Sequence, residues 1–530
     1  MNKWNSMRLI IIMGVLALSL TSCFDSNHDP DSTSEGMDHS QMGQSSMDSN
    51  NELSEKRTTE VDTLKGKEFT LTAQTSNLEI SSGVILPVWT FNNSVPGPQI
   101  RVKQGDHVNI TLENELPDPV TIHWHGVPVP NNMDGIPGVT QNAVQPGQSF
   151  VYNFKADVPG TYWYHSHQDG VNQLDRGLYG SFIVEGTNEE KVNRDFTLML
   201  DEWASSGMDL SDMNNDMPNM DHSQMNMDSS NSPLENSPIE HDMSMYDLFS
   251  INGKSGDLVS QLPVKEGENV RLRLINAGYQ PHQIHLHGHE FKVTATDGQP
   301  INNPGVLKDN VIYIGPGERY DIEFTANNPG QWFLEEHGDD KAVPGMKAVI
   351  AYEGVASGTD KSNAMEALAS VDLTSYGQSG NNTFTLDQQF DLEYTMDLNT
   401  EMKKGNMVYT INGKTFPDTE VLTARKGDNI KVRLTNNSTD VDHPMHLHGH
   451  FFQVLSKNGK PLEGSPIFKD TINLKPGEEY VVAFEADNPG NWMFHCHELH
   501  HASAGMVTEL MYSDYKTDYV ADPNAGNKPE

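Results

Sequence analysis

The sequence predicts an all-β protein made of three consecutive Greek-key β-barrel or sandwich domains. One segment recurs three times, as VKQGDHVNITLEN from Val102, VKEGENVRLRLIN from Val264 and ARKGDNIKVRLTN from Ala424. Such internal repetition marks a repeated structural unit. Each copy places a polar Gly turn before strict alternation, with apolar Val108, Ile110 and Leu112, then Val270, Leu272 and Leu274, then Ile430, Val432 and Leu434. A period of two is that of a strand with one buried face. Helical periodicity is scarce, and Gly/Pro turns separate short alternating runs throughout, as in sandwiches and barrels.

Each copy continues with a His-rich segment, TIHWHG at 121, HQIHLHGHEF at 282 and HPMHLHGHFF at 443, and then a Pro-Gly turn at Pro146, Pro316 or Pro476. The copies close with VPGTYWYHSH, NPGQWFLEEH and NPGNWMFHCH. At 530 residues the chain exceeds one hydrophobic core. The expected domains are 61–187, 188–356 and 383–514, with a connection over 357–382 and an acidic tail over 515–530. Residues 23–60 and 205–245 are rich in Ser, Asp, Asn and Met and poor in aromatics, so they are expected to form no core.

At the N-terminus, basic Lys3 and Arg8 precede an apolar run from Leu9 to Leu20. That is the pattern of a secretory signal over 1–22, and the run is shorter than the roughly 20 residues of a membrane span. Leu20-Thr-Ser-Cys23 resembles the bacterial lipoprotein box, which implies cleavage before Cys23 and a lipid on its sulfur. The expected location is outside the cytoplasm, membrane-anchored, at the cell surface or in a periplasm. The net charge of −39 argues against nucleic acid and anionic lipid as partners and favours cations near the surface.

Only two cysteines are present. With Cys23 lipidated, Cys496 has no disulfide partner in an oxidising compartment, where an unprotected thiol is oxidised. Metal ligation would protect it, and NWMFHCHELHHASAGM surrounds it with ligand types. Alternation sends His495 and His497 to one side of a strand and Cys496 to the other, so one segment can serve two metal centres. Similarly, His446 and His448 share a face from which His443 turns away. Cys496, His443, His501 and Met506 thereby form one cluster of thiolate, two imidazoles and a thioether. This is the ligand set of a blue-copper electron-transfer site; zinc seldom takes Met. Four His-x-His pairs form a second cluster: His123 with His125, His165 with His167, His446 with His448, and His495 with His497. Eight imidazoles suit three ions.

In these motifs the sequence resembles the three-domain multicopper oxidases, the laccase-like and copper-tolerance family of cupredoxin repeats, from about residue 65 to 514. The resemblance implies four copper ions: type 1 at His443, Cys496, His501 and Met506; type 2 at His123 and His446; and a type 3 pair at His125, His165, His167, His448, His495 and His497. It implies an oxidase that couples four one-electron oxidations at type 1 copper, entering through Cys496, to reduction of O2 to water. Asp134 matches an acidic residue that the family places beside the trinuclear cluster as a proton relay; it reads equally as a turn Asp before Gly135. Several bacterial relatives carry a carboxylate directly after the second type 1 His, where this chain has Ala502, which puts a proton route through that position in doubt.

Counted from the shared Asn-Pro-Gly, Glu335, Glu336, His337, Lys341 and Met346 of the middle repeat stand where the third has His495, Cys496, His497, His501 and Met506. A carboxylate and a lysine cannot make a blue-copper site, so the middle domain is expected to be structural, with adventitious metal binding the lesser reading. MDHSQM occurs twice, giving Met37, His39 and Met42, then Met220, His222 and Met225, the second among Met208, Met213, Met217, Met227, Met243 and Met245. Exposed thioethers select Cu(I), so the favoured donor is Cu(I). The alternatives are a laccase acting on phenols or aromatic amines, a Mn(II) or Fe(II) oxidase, and a copper-sequestering surface lipoprotein without turnover. A monomer is expected.

Overall fold

Gly105, Gly267 and Gly427 take φ of +87°, +87° and +90°. A side chain is strained in that left-handed region, so each copy of the repeated turn needs its glycine. In the computed structural model, which describes residues 61–206, 245–338, 345–355, 368–380 and 382–529, the alternating runs beyond these turns are the strands Asp106–Asn114, Asn269–Asn276 and Asn429–Asn436. All nine apolar members named above are fully buried.

Each repeat is a pair of facing sheets, the architecture of a cupredoxin. In the first, Val84–Phe91, Glu68–Ser81, Asp106–Asn114 and Ser149–Ala156 form one sheet, and Thr63–Lys65, Gly97–Lys103, Tyr179–Glu185 and Gly160–His165 the other. Glu68–Ser81 runs parallel to Asp106–Asn114 although both have antiparallel neighbours, which requires Greek-key crossovers. The third repeat has the same plan, and its five-stranded sheet carries His443–Leu447 between Asn491–Cys496 and Thr471–Leu474.

The middle repeat departs from the expected single buried face, because Arg271 and Arg273 on the other side of its strand are also buried. Arg273 pairs with Asp195 at 2.8 Å and donates to Thr161 Oγ1 of the first domain at 2.9 Å. Domain packing covers the second face, and charges buried there are tolerated because they are paired. Part of the 357–382 connection is ordered: Ala369–Ser370 pairs with Asn310–Ile314, and the hydroxyl of buried Tyr376 accepts from Val293 N at 3.0 Å.

No described helix is long and apolar enough to cross a membrane. The signal segment, Cys23, Met37, His39, Met42, Met208, Met213, Met217, Met220, His222, Met225, Met227 and Met243 lie outside the described residues. Met245 differs from the exposed setting expected of it, being half-buried against the apolar cluster that includes Trp203 and Tyr246.

Candidate metal centres

Register decides which side chains meet. Met445 pairs with Cys496 and His446 with His495 across the antiparallel strands His443–Leu447 and Asn491–Cys496. Alternation then puts Cys496 with His443 on one side, and His446, His495 and His497 on the other. Cys496 Sγ lies 3.8 Å from His443 Nδ1 and 3.6 Å from His501 Nδ1. Sulfur and nitrogen sharing one ion at bonds of roughly 2.0–2.3 Å stand about 3.6–3.8 Å apart, so the three atoms already frame a metal. His501 arrives on the short helix Leu499–Ser503, which Glu498 caps by accepting from His501 N at 2.7 Å. The chain then returns through Met506, fully buried, whose carbonyl accepts from Cys496 N at 3.0 Å.

The distal nitrogens of both rings are also held. Ser438 Oγ lies 2.8 Å from His443 Nε2, and Glu498 Oε2 lies 3.2 Å from His501 Nε2. Tyr409 packs on His501 with ring centroids 3.8 Å apart. Ala502 lies in an apolar group with Ile136, Met493 and Val507, so the carboxylate near this ring comes from Glu498, on the other side of His501 in the chain.

The eight imidazoles meet where the first and third domains join. His123 and His448 stack at 4.0 Å between centroids, His125 and His446 at 3.8 Å. Three close sets of ligand atoms are His123, His125 and His165; His123, His446 and His448; and His167, His448 and His495. His497 lies 4.7 Å from His125 and 5.4 Å from His165 between centroids.

Hydrogen bonds fix which nitrogen of each ring faces inward. Nδ1 donates to the carbonyl of Asp134 from His123 (2.9 Å), of Ser166 from His165 (2.8 Å), of Pro529 from His167 (2.5 Å), of Asp470 from His446 (3.0 Å) and of Cys496 from His495 (3.0 Å). His448 Nδ1 donates to Asp134 Oδ2 at 3.0 Å. In His125 the order is reversed, since Nε2 meets Thr471 Oγ1 at 3.0 Å and Asp470 Oδ1 at 3.2 Å. Lone pairs are thereby aimed at one another. His448 Nε2 and His495 Nε2 face each other at 3.0 Å, while Nε2 of His123, His165 and His446, Nδ1 of His125 and both ring nitrogens of His497 are buried with no hydrogen-bond partner. Buried polar atoms are seldom left so; copper bound there would satisfy one inward nitrogen of each ring, a single one of the two on His497, and the residues fit it.

Burial, with the neighbouring rings second, pushes His125, His165, His448, His495 and His497 well below the usual imidazole range, and His167 down to about 3. Burial also lowers His446 and His443. These named rings are therefore neutral at pH 7. As pH falls below about 6.5 the unfolded chain takes up protons that these rings refuse, so stability declines on acidification down toward pH 3. Burial raises Asp175, to about 7, Asp297, to about 6, and Asp201, Asp321 and Glu509, and carboxylates raise His282 and His500 against burial; all of these act oppositely but are fewer than the lowered histidines. The expected result is a thermal midpoint of copper-free protein that drops between pH 7.5 and 5; a midpoint that rises would contradict it.

A family model described as multicopper oxidase matches residues 72–189, and a second of that description matches 216–354 and 384–516. The chain belongs to the multicopper oxidase family. It is a copper-dependent oxidoreductase that uses O2 as acceptor. Multicopper oxidase MmcO of Mycobacterium tuberculosis is 32% identical over 457 residues, covering 84% of this chain and 86% of its own. Copper resistance protein A of Escherichia coli is 25% identical, covering 84% and 93%. The crystal structure of a multicopper oxidase from Pseudomonas thermotolerans superposes with a TM-score of 0.63 at 27% identity, covering 85% of this chain and all of that one.

Several residues around this multicopper oxidase's cluster escaped the sequence reading. Asp470 touches His125 and His446 and is itself gripped by Arg319 at 2.7 and 2.6 Å. Arg319 belongs to the middle domain, which therefore reaches the cluster. In the turn before it, a Cβ on Gly317 would sit 2.9 Å from His497 Cγ. The C-terminal tail crosses the first domain: Asp169 N donates to Lys528 O at 2.8 Å and Gln168 Nε2 to Gly526 O at 2.8 Å, beside the bond from His167 to Pro529. No motif signals these contacts, since all but that of Asp470 with His446, 24 positions apart, join residues more than a hundred positions apart.

Proposed function

We propose that this enzyme takes electrons singly from a donor at the Cys496 site and reduces O2 to water at the eight-histidine cluster, holding four copper ions in all. One type 1 ion is assigned to His443, Cys496, His501 and Met506, a type 2 ion to His123 and His446, and the type 3 pair to the other six histidines. The observation that carries this reading is the single strand end in which Cys496 faces one cluster while His495 and His497 face the other. Bound copper supplies one-electron redox chemistry at the thiolate site and, after four donor oxidations, four electrons for O2 at the imidazole cluster. The protein's part is to fix the path and handle protons. His495 Nδ1 donates to the Cys496 carbonyl, which ties the two ligands through one peptide. Asp134 is buried with Oδ2 on His448 Nδ1 and Oδ1 3.2 Å from His123 Nδ1, a position from which its carboxyl can pass protons into the cluster.

The proposed donor is Cu(I), captured by the Met- and His-containing segments at 37–42 and 205–245. Supporting it are the duplicated MDHSQM, the preference of thioethers for Cu(I) and the likeness to a protein named for copper resistance. The N-terminal 23 residues support export and lipid anchoring. Oxygen uptake compared with Cu(I), Mn(II) and a phenol tests the donor. Deleting 205–245 is expected to raise the KM for Cu(I) and leave phenol oxidation intact; a lowered or unchanged KM refutes Cu(I) capture. Absence of oxygen uptake with every donor would leave a sequestering protein.

A further inference from the structure

The middle domain repeats the strand pairing of the third with different ligands. Ile284 pairs with Glu336 and His285 with Glu335, just as Met445 pairs with Cys496 and His446 with His495. On the side equivalent to the blue-copper set, His282 Nε2 lies 3.4 Å from Glu202 and its Nδ1 3.5 Å from Glu336. Although burial opposes charge there, the two carboxylates raise this imidazole to about 9, so an ion-paired imidazolium replaces that site.

The other side differs. We propose that His285, His287, His337 and Glu335 bind one divalent cation of the zinc or copper(II) class, a fifth metal site separate from the oxidase centres. His287 Nε2 lies 3.2 Å from His337 Nε2 and 2.8 Å from Glu335 Oε1, and that oxygen is 3.9 Å from His337 Nε2. Two nitrogens on one tetrahedral ion at 2.0 Å stand about 3.3 Å apart, so the pair already has the spacing of a shared metal. His285 packs against both rings, with centroids 4.3 and 5.0 Å away. Its Nδ1 donates to Asn310 O at 3.1 Å, which leaves Nε2 as the lone-pair atom. A carbonyl or carboxylate fixing the outer nitrogen is the usual support of a ligating histidine.

Burial lowers both His285, to about 4, and His337, so both rings are neutral. Lys347 Nζ occupies the other carboxylate oxygen, Oε2, at 3.0 Å, and so orients Oε1 toward the rings. Its charge is a cost that the bonds from the carboxylate and the three rings must offset. Glu335 retains 17% side-chain exposure, so an ion can enter from solvent. Imidazole and carboxylate without thiolate suit zinc or copper(II) rather than Cu(I), and give no blue colour.

The test uses copper-loaded full-length protein dialysed against Zn(II), with zinc and copper counted by elemental analysis. Wild type is expected to hold one metal ion more per chain, zinc and copper summed, than the His287→Ala/His337→Ala double variant, with oxygen uptake and blue absorption equal in the two. Zinc bound elsewhere is common to both and drops out of the difference. Equal summed zinc and copper content overturns the proposal. Should the double variant lose blue absorption or fail to fold, Glu335→Gln decides: its zinc affinity is expected to fall at least as far as the roughly 10–100-fold that supporting groups command, and unchanged affinity overturns the site.

Discussion

Cys496→Ser is expected to abolish the intense visible absorption of a copper–thiolate centre and reduce turnover with every donor to the detection limit. The replacement is nearly isosteric in a fully buried position within the third-domain core, so the fold should persist. What changes is ligand chemistry: a hydroxyl does not supply the soft, anionic sulfur that selects copper there. The eight imidazoles keep their inward nitrogens, and elemental analysis should find one tightly held copper missing rather than four. Full oxidase activity in this variant would defeat the assignment of electron entry to Cys496.

The second large effect lies in the middle domain. Arg319→Met keeps most of the side-chain volume and removes a guanidinium that is wholly buried. Although burial opposes its charge, Asp470 is held well below the usual carboxylate range chiefly by Arg319. Without that partner an uncompensated charge stays between His125 and His446, and breaking such a pair costs about 3–5 kcal/mol. The variant is expected to unfold at a lower temperature and to lose copper from the imidazole cluster. Adding Asp470→Asn should restore much of the stability by removing the stranded charge; a double variant no more stable than the single one would exclude this cause.

The periodic parts of this molecule were legible in its sequence because they are local. Val108, Ile110 and Leu112 announce a strand by spacing alone, and their repeat counterparts announce the other two domains. The separation of Cys496 from His495 and His497 follows from strand parity, which needs no tertiary knowledge. The supporting groups were not legible for the opposite reason. Asp470, Arg319 and Pro529 acquire their roles only when distant segments dock, and an Asp before a Thr in a strand looks like any other. Glu498 stood inside the quoted motif, yet its part in holding His501 depends on the helical turn that follows it. The middle domain looked structural because its cysteine position is a glutamate, but its Arg319 and Gly317 lie against the eight-histidine cluster.

The bond from His167 to the carbonyl of Pro529 spans 362 residues. Pro529 follows all three repeats, so a chain that stops after the first domain presents this ring without its prop. The segment around Pro529 thus steadies an imidazole of the first domain, and a chain cut before it is expected to retain less copper at this cluster after dialysis, as counted by elemental analysis.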